Sequence, residues 1–465
     1  MDREAKLERM LGHFRSGITT AAELEQILQV SKSWVWGRLQ GLLRDGRVIR
    51  IGSTRGARYG LRREIRGIGS AWPLFRVGRS GDINDLGTLY ALVAGQYYFE
   101  ASEEATARGF AGAGLTAGLP YFLQDQRPAG FLGRAIPHRY PDIDLPQRVI
   151  DWTDDHYLRY LTLHGSDTVG DLILGRSALD EFIARQRCAS PINSDERESR
   201  FPALVDQVMH GELPGSSAHG EHPKFAVLLK DADGPRHVLV KFSPFVSDAV
   251  GRRWADLLVA EHHGHEVLRS AGIAAARSRI FHFGNRTYLE VDRFDREGAA
   301  GRVGVTSLLA IDAGSYGSLD DWISSAGRLN RDRHIESQTL DQVRVVFAFG
   351  GLIANTDRHF GNLAFFDAYD GHFDLAPIYD MLPMLFAPEH DQIFARVFSP
   401  PGPTSDTLHA WAPARSLAEK YWRQLGADAR VSAEFKSMCS TCLQALEALP
   451  KTGAYAPTPA GAWDA

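Results

Sequence analysis

Residues 355–362, NTDRHFGN, restrict what this chain can fold into more than any other stretch. They follow LDQVRVVFAFGGLIA (340–354), whose apolar residues recur at helical spacing and predict a buried helix that positions the loop behind it. Beyond the loop, 363–366 reads as a strand, Asp370 and Gly371 as a hairpin turn, and 373–378 as the returning strand. The return brings Asp380 back beside Asn362. Two hard oxygen donors then come from opposite ends of one hairpin. Such a pair suits Mg2+, which takes one or two carboxylates and completes its octahedron with water and phosphate oxygens.

A chain of 465 residues exceeds one ordinary core, and roughly 100–200 residues per domain predicts three domains. The composition, 44% hydrophobic and 23% charged, is that of a soluble globular protein, and there is no apolar run of about 18 residues to span a membrane. The charged start MDREAKLERM lacks a signal-peptide core, which predicts a cytoplasmic protein. Cys188, Cys439 and Cys442 cannot build a disulfide framework, as expected in a reducing compartment. The CxxC at 439–442 has no second pair to complete a zinc site, and reads as packed thiols one helical turn apart. A net charge of −5 gives no general attraction to nucleic acid; the distribution of charge says more.

The first 66 residues are basic where it counts. Leu7, Met10, Leu11 and Phe14 predict one helix, a cap at 19–23 opens a second, and Ser31 caps a third, SKSWVWGRLQGLLRDG. In that third helix Val35, Leu39, Leu42 and Leu43 face inward while Lys32, Ser33, Trp34 and Arg38 face out. A hairpin around residues 53–56 follows, carrying Arg47, Arg50, Arg55, Arg58, Arg62 and Arg63. Three helices and a basic hairpin resemble a winged helix-turn-helix, which would set the third helix in the major groove and wing arginines on phosphates or in the minor groove.

After residue 66 the pattern shifts to short strands broken by glycine, then to Gly- and Pro-rich loops over 109–150, with helical spacing returning at 153–187. Residues 213–242 read as a small-residue loop followed by two strands joined at 231–234. Such a loop, with Gly220 in it and Lys224 at its exit, lets backbone N–H groups approach phosphate, although it lacks the Walker A spacing. Lys241 lies among alternating apolar residues on the second strand, where a charge needs a partner. Glu261, on a helix predicted over 250–271, supplies one. A strand Lys paired with a helix Glu is the device by which protein kinases hold the α- and β-phosphates of ATP. The strand 287–291 leaves into Asp292, Phe294 and Asp295, where a kinase hinge would read adenine and Asp295 a ribose hydroxyl. Asp357 and Asn362 repeat the D-x-x-x-x-N interval of the kinase catalytic loop, in which the Asp takes the proton of the attacking hydroxyl and the Asn binds Mg2+. Asp380 would be the second metal ligand. His359 either orients this loop or packs, and His262, His263 and His265 read as a solvated helix face.

In this order, over roughly residues 70–450, SSAHGEHPKF, the Lys241 strand, Glu261, VDRFDR, NTDRHFGN and PIYDMLP resemble the HipA-like serine/threonine kinase toxins of bacterial toxin–antitoxin systems. The added N-terminal module makes the chain most similar to the long YjjJ-type members. The resemblance implies phosphorylation of a protein serine or threonine with ATP and Mg2+, with aminoacyl-tRNA synthetases among family targets, and a separate antitoxin as partner. It also implies autophosphorylation of a loop serine, here Ser217, with Ser216 competing; the added negative charge would repel ATP. Many members read QPK where this chain reads HPK, at His222.

The expected fold is α+β and multidomain. It comprises a winged helix-turn-helix over 1–66, an α+β subdomain over 67–200, the ATP-binding part of the kinase N-lobe over 201–295, a mostly helical catalytic C-lobe over 296–450, and a disordered tail over 451–465. Two other functions fit parts of the sequence: a DNA-bound regulator with an inactive, nucleotide-sensing kinase fold, and a metal-dependent DNase using Asp357, His359 and Asp380.

Overall fold

The computed structural model describes residues 3–53, 56–210, 222–389 and 391–450. Helices Arg3–Phe14, Ala21–Leu28 and Lys32–Arg44 close their apolar stripes around Met10, Phe14, Leu24, Leu28, Val35 and Leu39. A capping box starts the second helix: Thr20 Oγ1 accepts the Glu23 N–H, and the Glu23 carboxylate accepts the Thr20 N–H at 2.7 Å. The hairpin Val48–Ile51 and Arg58–Leu61 follows, and Thr19–Thr20 joins it as a third antiparallel strand.

Lys32, Ser33, Arg50 and Arg58 are exposed, while Arg55 lies outside the described residues. Two expectations change. Trp34 is half-buried on the core with Arg38 over its ring at 5.6 Å, and the exposed aromatic is Trp36 on the other flank of the helix. Arg62 and Arg63 are engaged by protein groups: Arg62 donates to the Gly46 carbonyl and Ser70 Oγ, and Arg63 to both oxygens of Asp155 and to the Tyr97 hydroxyl. They fasten this module to the next.

That next layer is an antiparallel sheet in the order Gly114–Ala117, Gln96–Ala101, Ile83–Ala91, Ala71–Val77, Leu172–Leu174, and helices Asp154–His164 and Arg176–Cys188 contribute to the cores against it. A second five-stranded sheet runs Ser278–Phe283, Arg286–Asp292, Gly234–Phe242, Lys224–Asp231, Ile192–Asn193. The long helix Ala249–Ser270 contacts this sheet, yet its Leu257, Val267 and Leu268 belong to the large core of the helical region that follows. There Trp322–Arg331, Ser337–Leu352, Leu408–Ala427 and Ala433–Glu447 surround Trp322, Phe349, Tyr421, Trp422 and Phe435. Cys439 and Cys442 are buried on the last helix, and burial pushes the Cys442 thiol up to about 12. Among the described residues no helix is long and apolar enough to cross a membrane.

The first five-stranded layer is locked to the second by ions. Asp295 accepts from Arg293 and Arg296 at 2.9 and 2.7 Å and from the Gly170 N–H at 3.0 Å. Arg296 also donates to Asp167 and to the Thr168 and Gly170 carbonyls, and Arg302 to the Ser166 carbonyl. The expected ribose role of Asp295 is thereby corrected, because both carboxylate oxygens are engaged by guanidinium groups. Although burial opposes it, the neighbouring Arg293 and Arg296 charges hold its pKa well below the usual carboxylate range. Asp295→Asn removes the buried member of the two anions that Arg293 and Arg296 share, leaving them Asp167, and is expected to cost about 1–3 kcal/mol, read as a lower unfolding midpoint; the half-exposed Asp167 should cost less when changed to Asn.

Candidate active site

Lys241 and Lys224 stand directly opposite one another on antiparallel neighbours, so both side chains leave the same face of the sheet. Lys241 Nζ donates to both oxygens of Glu261, at 2.7 and 2.8 Å, and to Asp380 Oδ1 at 2.5 Å. Only 7% of the Lys241 side chain and 1% of Glu261 is exposed, against 32% of Asp380. Burial works against the ammonium, but the two carboxylates outweigh it and raise its pKa. Burial also works against Asp380, which the charges of Lys241 and Lys224 hold well below the usual range. Glu261 moves the other way: burial raises it, Lys241 opposes, and the charge of Asp380 adds to the rise.

Asp380 has φ of 52°, in the left-handed region that non-glycine residues enter at a cost of roughly 1–3 kcal/mol. Lys241 holds its carboxylate, and Asn355 Nδ2 donates to its carbonyl at 3.3 Å. The hairpin return is pinned to the polar loop where Tyr379 donates its hydroxyl to the Gly361 carbonyl at 2.5 Å. Within the loop, the Asp357 N–H donates to Asn355 Oδ1, and Asn362 Nδ2 donates to the Asp357 carbonyl at 2.7 Å and reaches its Oδ2 at 3.5 Å. Asn362 is buried, and the Asp357 side chain is 49% exposed. His359 is exposed and caps the turn by accepting the Gly361 N–H, so it orients the loop rather than packing.

Lys224, Lys241, Glu261 and Asp380 open on a cleft of about 1050 Å³, whose lining does not take in Asp357 or Asn362. Its inner wall carries Lys224, Lys241, Glu261 and Asp380, its edge Asp292, Phe294 and Asp295, and its outer wall the middle-layer residues Arg127, Phe131 and Tyr140. Asp292 pairs with Arg236. Phe294 packs edge-on to Phe366, and its backbone groups are bonded to none of the described residues. Gly220, Ser216 and Ser217 lie outside the described residues.

The histidine expectation is corrected. His265 is fully buried behind Glu261, with Nδ1 at 3.2 Å from Ser278 Oγ, and burial lowers it to about 3. His262 and His263 are half-buried, on Ser278 and Asp428. The helix turns this face inward because it lies between the sheet and the helical core. Sequence reasoning also passed over Asn355, which braces both Asp357 and Asp380; its place at the head of NTDRHFGN was the available signal. It passed over Arg358 as well, whose signal was the glycine pair Gly350 and Gly351 inside an otherwise apolar helix.

Lys241→Met leaves Glu261 enclosed without its paired cation, and leaves the part-exposed Asp380 only the charge of Lys224; it is expected to destabilise the protein by about 3–5 kcal/mol at neutral pH. Without that cation, burial raises the folded-state pKa of Glu261 further above its unfolded value. The folded variant then binds more protons than the unfolded one, and its stability recovers as pH falls from about 8 towards about 5. Denaturant unfolding across that range checks the sign.

Comparison with known proteins fits this architecture. Residues 68–183 match the family described as YjjJ-like toxin, middle domain, and residues 216–448 the HipA-like C-terminal domain. Toxin YjjJ of Escherichia coli strain K12 is 34% identical over 427 residues, covering 90% of this chain and 93% of that protein. The HipA toxin–antitoxin complex of Shewanella oneidensis MR-1, solved with HipB and operator DNA, superposes with a TM-score of 0.51 at 13% identity, over 81% of this chain and 96% of that one. That structural likeness speaks to the fold, and the sequence match to the lineage: the chain belongs to the YjjJ-like branch of the HipA-like toxins.

Proposed function

We propose that this protein is a cytoplasmic serine/threonine protein kinase toxin that uses ATP and Mg2+, with a winged helix-turn-helix that attaches it to DNA. The observation that carries the reading is the buried contact of Lys241 with Glu261 and Asp380, pinned through Tyr379 to the loop bearing Asp357 and Asn362. Lys241 and Lys224 would receive the phosphates, and the free backbone groups of Phe294 suit the edge of an adenine. Asn362 Oδ1 and the second oxygen of Asp380 are hard donors engaged by none of the described residues. Two protein oxygens fit Mg2+, which is commonly held by few side chains together with substrate phosphates. When bound, the metal would neutralise charge on the transferring phosphoryl group.

Asp357, held by Asn355 and Asn362 and facing solvent, would accept the proton of an incoming serine or threonine hydroxyl. Incubation with radiolabelled ATP and Mg2+ tests this. Transfer to protein is expected from the wild type and should fall by roughly 10²–10⁴ in Asp357→Ala; equal transfer by both removes Asp357 from the reaction. Nucleotide binding without transfer by the wild type would favour a sensor instead, and metal-dependent plasmid nicking without ATP, lost in His359→Ala, a DNase. Ser217 in the phosphate loop is the proposed autophosphorylation site, and a protein such as an aminoacyl-tRNA synthetase the proposed substrate. An antitoxin partner is proposed by analogy with the HipB-bound relative.

The exposed Lys32, Ser33, Arg50 and Arg58 support the DNA reading, together with the three helices and hairpin that carry them. Affinity of the full chain for duplex DNA should fall steeply with salt, and Arg50→Ala or Arg58→Ala should each lower the slope of log affinity against log salt by about one. An affinity flat with salt would refute phosphate contact by this module.

A further inference from the structure

Arg358 is a cation with a built seat and no anion. Its side chain lies along the end of helix Ser337–Leu352, where a Cβ added at Gly350 would fall 2.7 Å from Arg358 Cδ and one at Gly351 3.2 Å from Nη1. The two adjacent glycines in the last turn of the helix leave room for this side chain. Yet among the described residues the guanidinium meets only the Asn355 and Phe347 carbonyls, at 3.0 and 2.7 Å, and the Phe347 ring. Among the described residues no carboxylate reaches it, and burial lowers its pKa with nothing opposing.

The same helix end receives another part of the chain. Pro401 Cγ lies 3.1 Å from the Cβ position of Gly351, so Pro401 and Nη1 flank one point. Phe398 packs on Trp422, whose indole N–H donates to the Leu352 carbonyl. Between these two anchors stands Ser399, exposed and bonded to none of the described residues, on a stretch from 393 to 403 without backbone hydrogen bonds. Thr404, the next hydroxyl along, is already bonded to Thr407.

We propose that Ser399 is a phosphorylation site whose phosphate is received by Arg358, ordering the 393–403 segment beside the Asp357 loop. A phosphate opposite a lone arginine forms charge-assisted hydrogen bonds and can order a loop. The transfer rests on the kinase reading above: the Ser399 Oγ–phosphorus bond forms, the bond from the γ-phosphorus to the bridging oxygen of ATP breaks, ADP leaves, and the hydroxyl proton passes to Asp357. Reception by Arg358 is independent of which enzyme adds the phosphate.

Two measurements on the full chain separate these claims. After incubation with Mg2+ and ATP, peptide mass spectrometry should find phosphate on Ser399 in the wild type and none in Asp357→Ala. Transfer to a generic acceptor such as casein with Ser399 unmodified would overturn self-modification while leaving the kinase reading intact; no transfer to anything would remove the kinase reading itself. In the second measurement, phosphoserine is installed genetically at position 399 and trypsin cleavage after the exposed Arg396 is timed. Cleavage should slow by roughly tenfold, within reach of one hydrogen bond between charged groups, and the protection should vanish in Arg358→Gln. Cleavage unaffected by the phosphate, or slowed equally in Arg358→Gln, overturns reception by Arg358.

Discussion

One ammonium enclosed with two carboxylates organises this protein. Lys241 comes from a sheet, Glu261 from the helix Ala249–Ser270 and Asp380 from the exit of a hairpin in the helical region. A buried lysine tolerates its desolvation only if its partners stay within hydrogen-bond reach, so the three elements are held in one arrangement. The helix strengthens that constraint because it belongs to two bodies at once: it contacts the sheet, while Leu257 and Val267 sit in the same core as Trp422 and Phe435. Movement of the helical region relative to the sheet would pull Glu261 from Lys241.

Close packing enforces the same geometry. A Cβ at Gly264 would lie 2.2 Å from the Met381 carbonyl, so only glycine lets the helix approach the chain just past Asp380. Asp256 accepts from the N–H and hydroxyl of Ser432, tying the other end of that helix to the start of the last one. The left-handed backbone at Asp380 persists because lysine, asparagine and this packing over-determine it.

The middle layer is more than an appendage. Its 165–171 loop is threaded into the ion network of Arg293, Asp295 and Arg296, at the point where the second sheet hands over to the helical region. Its residues 127–140 form the outer wall of the cleft. The shape of the candidate site therefore depends on a layer that carries none of the groups assigned to the chemistry.

What the sequence determined by itself was local: the periodicity of 340–354, the turn at Asp370 and Gly371, the helix caps at 19–23 and Ser31, and a lysine among alternating apolar residues that had to find an acid. Those features depend on neighbours a few residues away, and they also pointed to Glu261 and Asp380, which the structure brings to Lys241. Only the tertiary structure decided which charged residues were already engaged. Asp295 and Arg62 look as free in sequence as Asp357 and Lys32, but their partners, Gly170 and Ser70 among them, come from other segments. His265 looked solvated because a helix shows one polar face in its own periodicity, whereas this helix is covered on two sides by elements brought from a distance. Burial and pairing are properties of those distant neighbours, and spacing along the chain does not encode them.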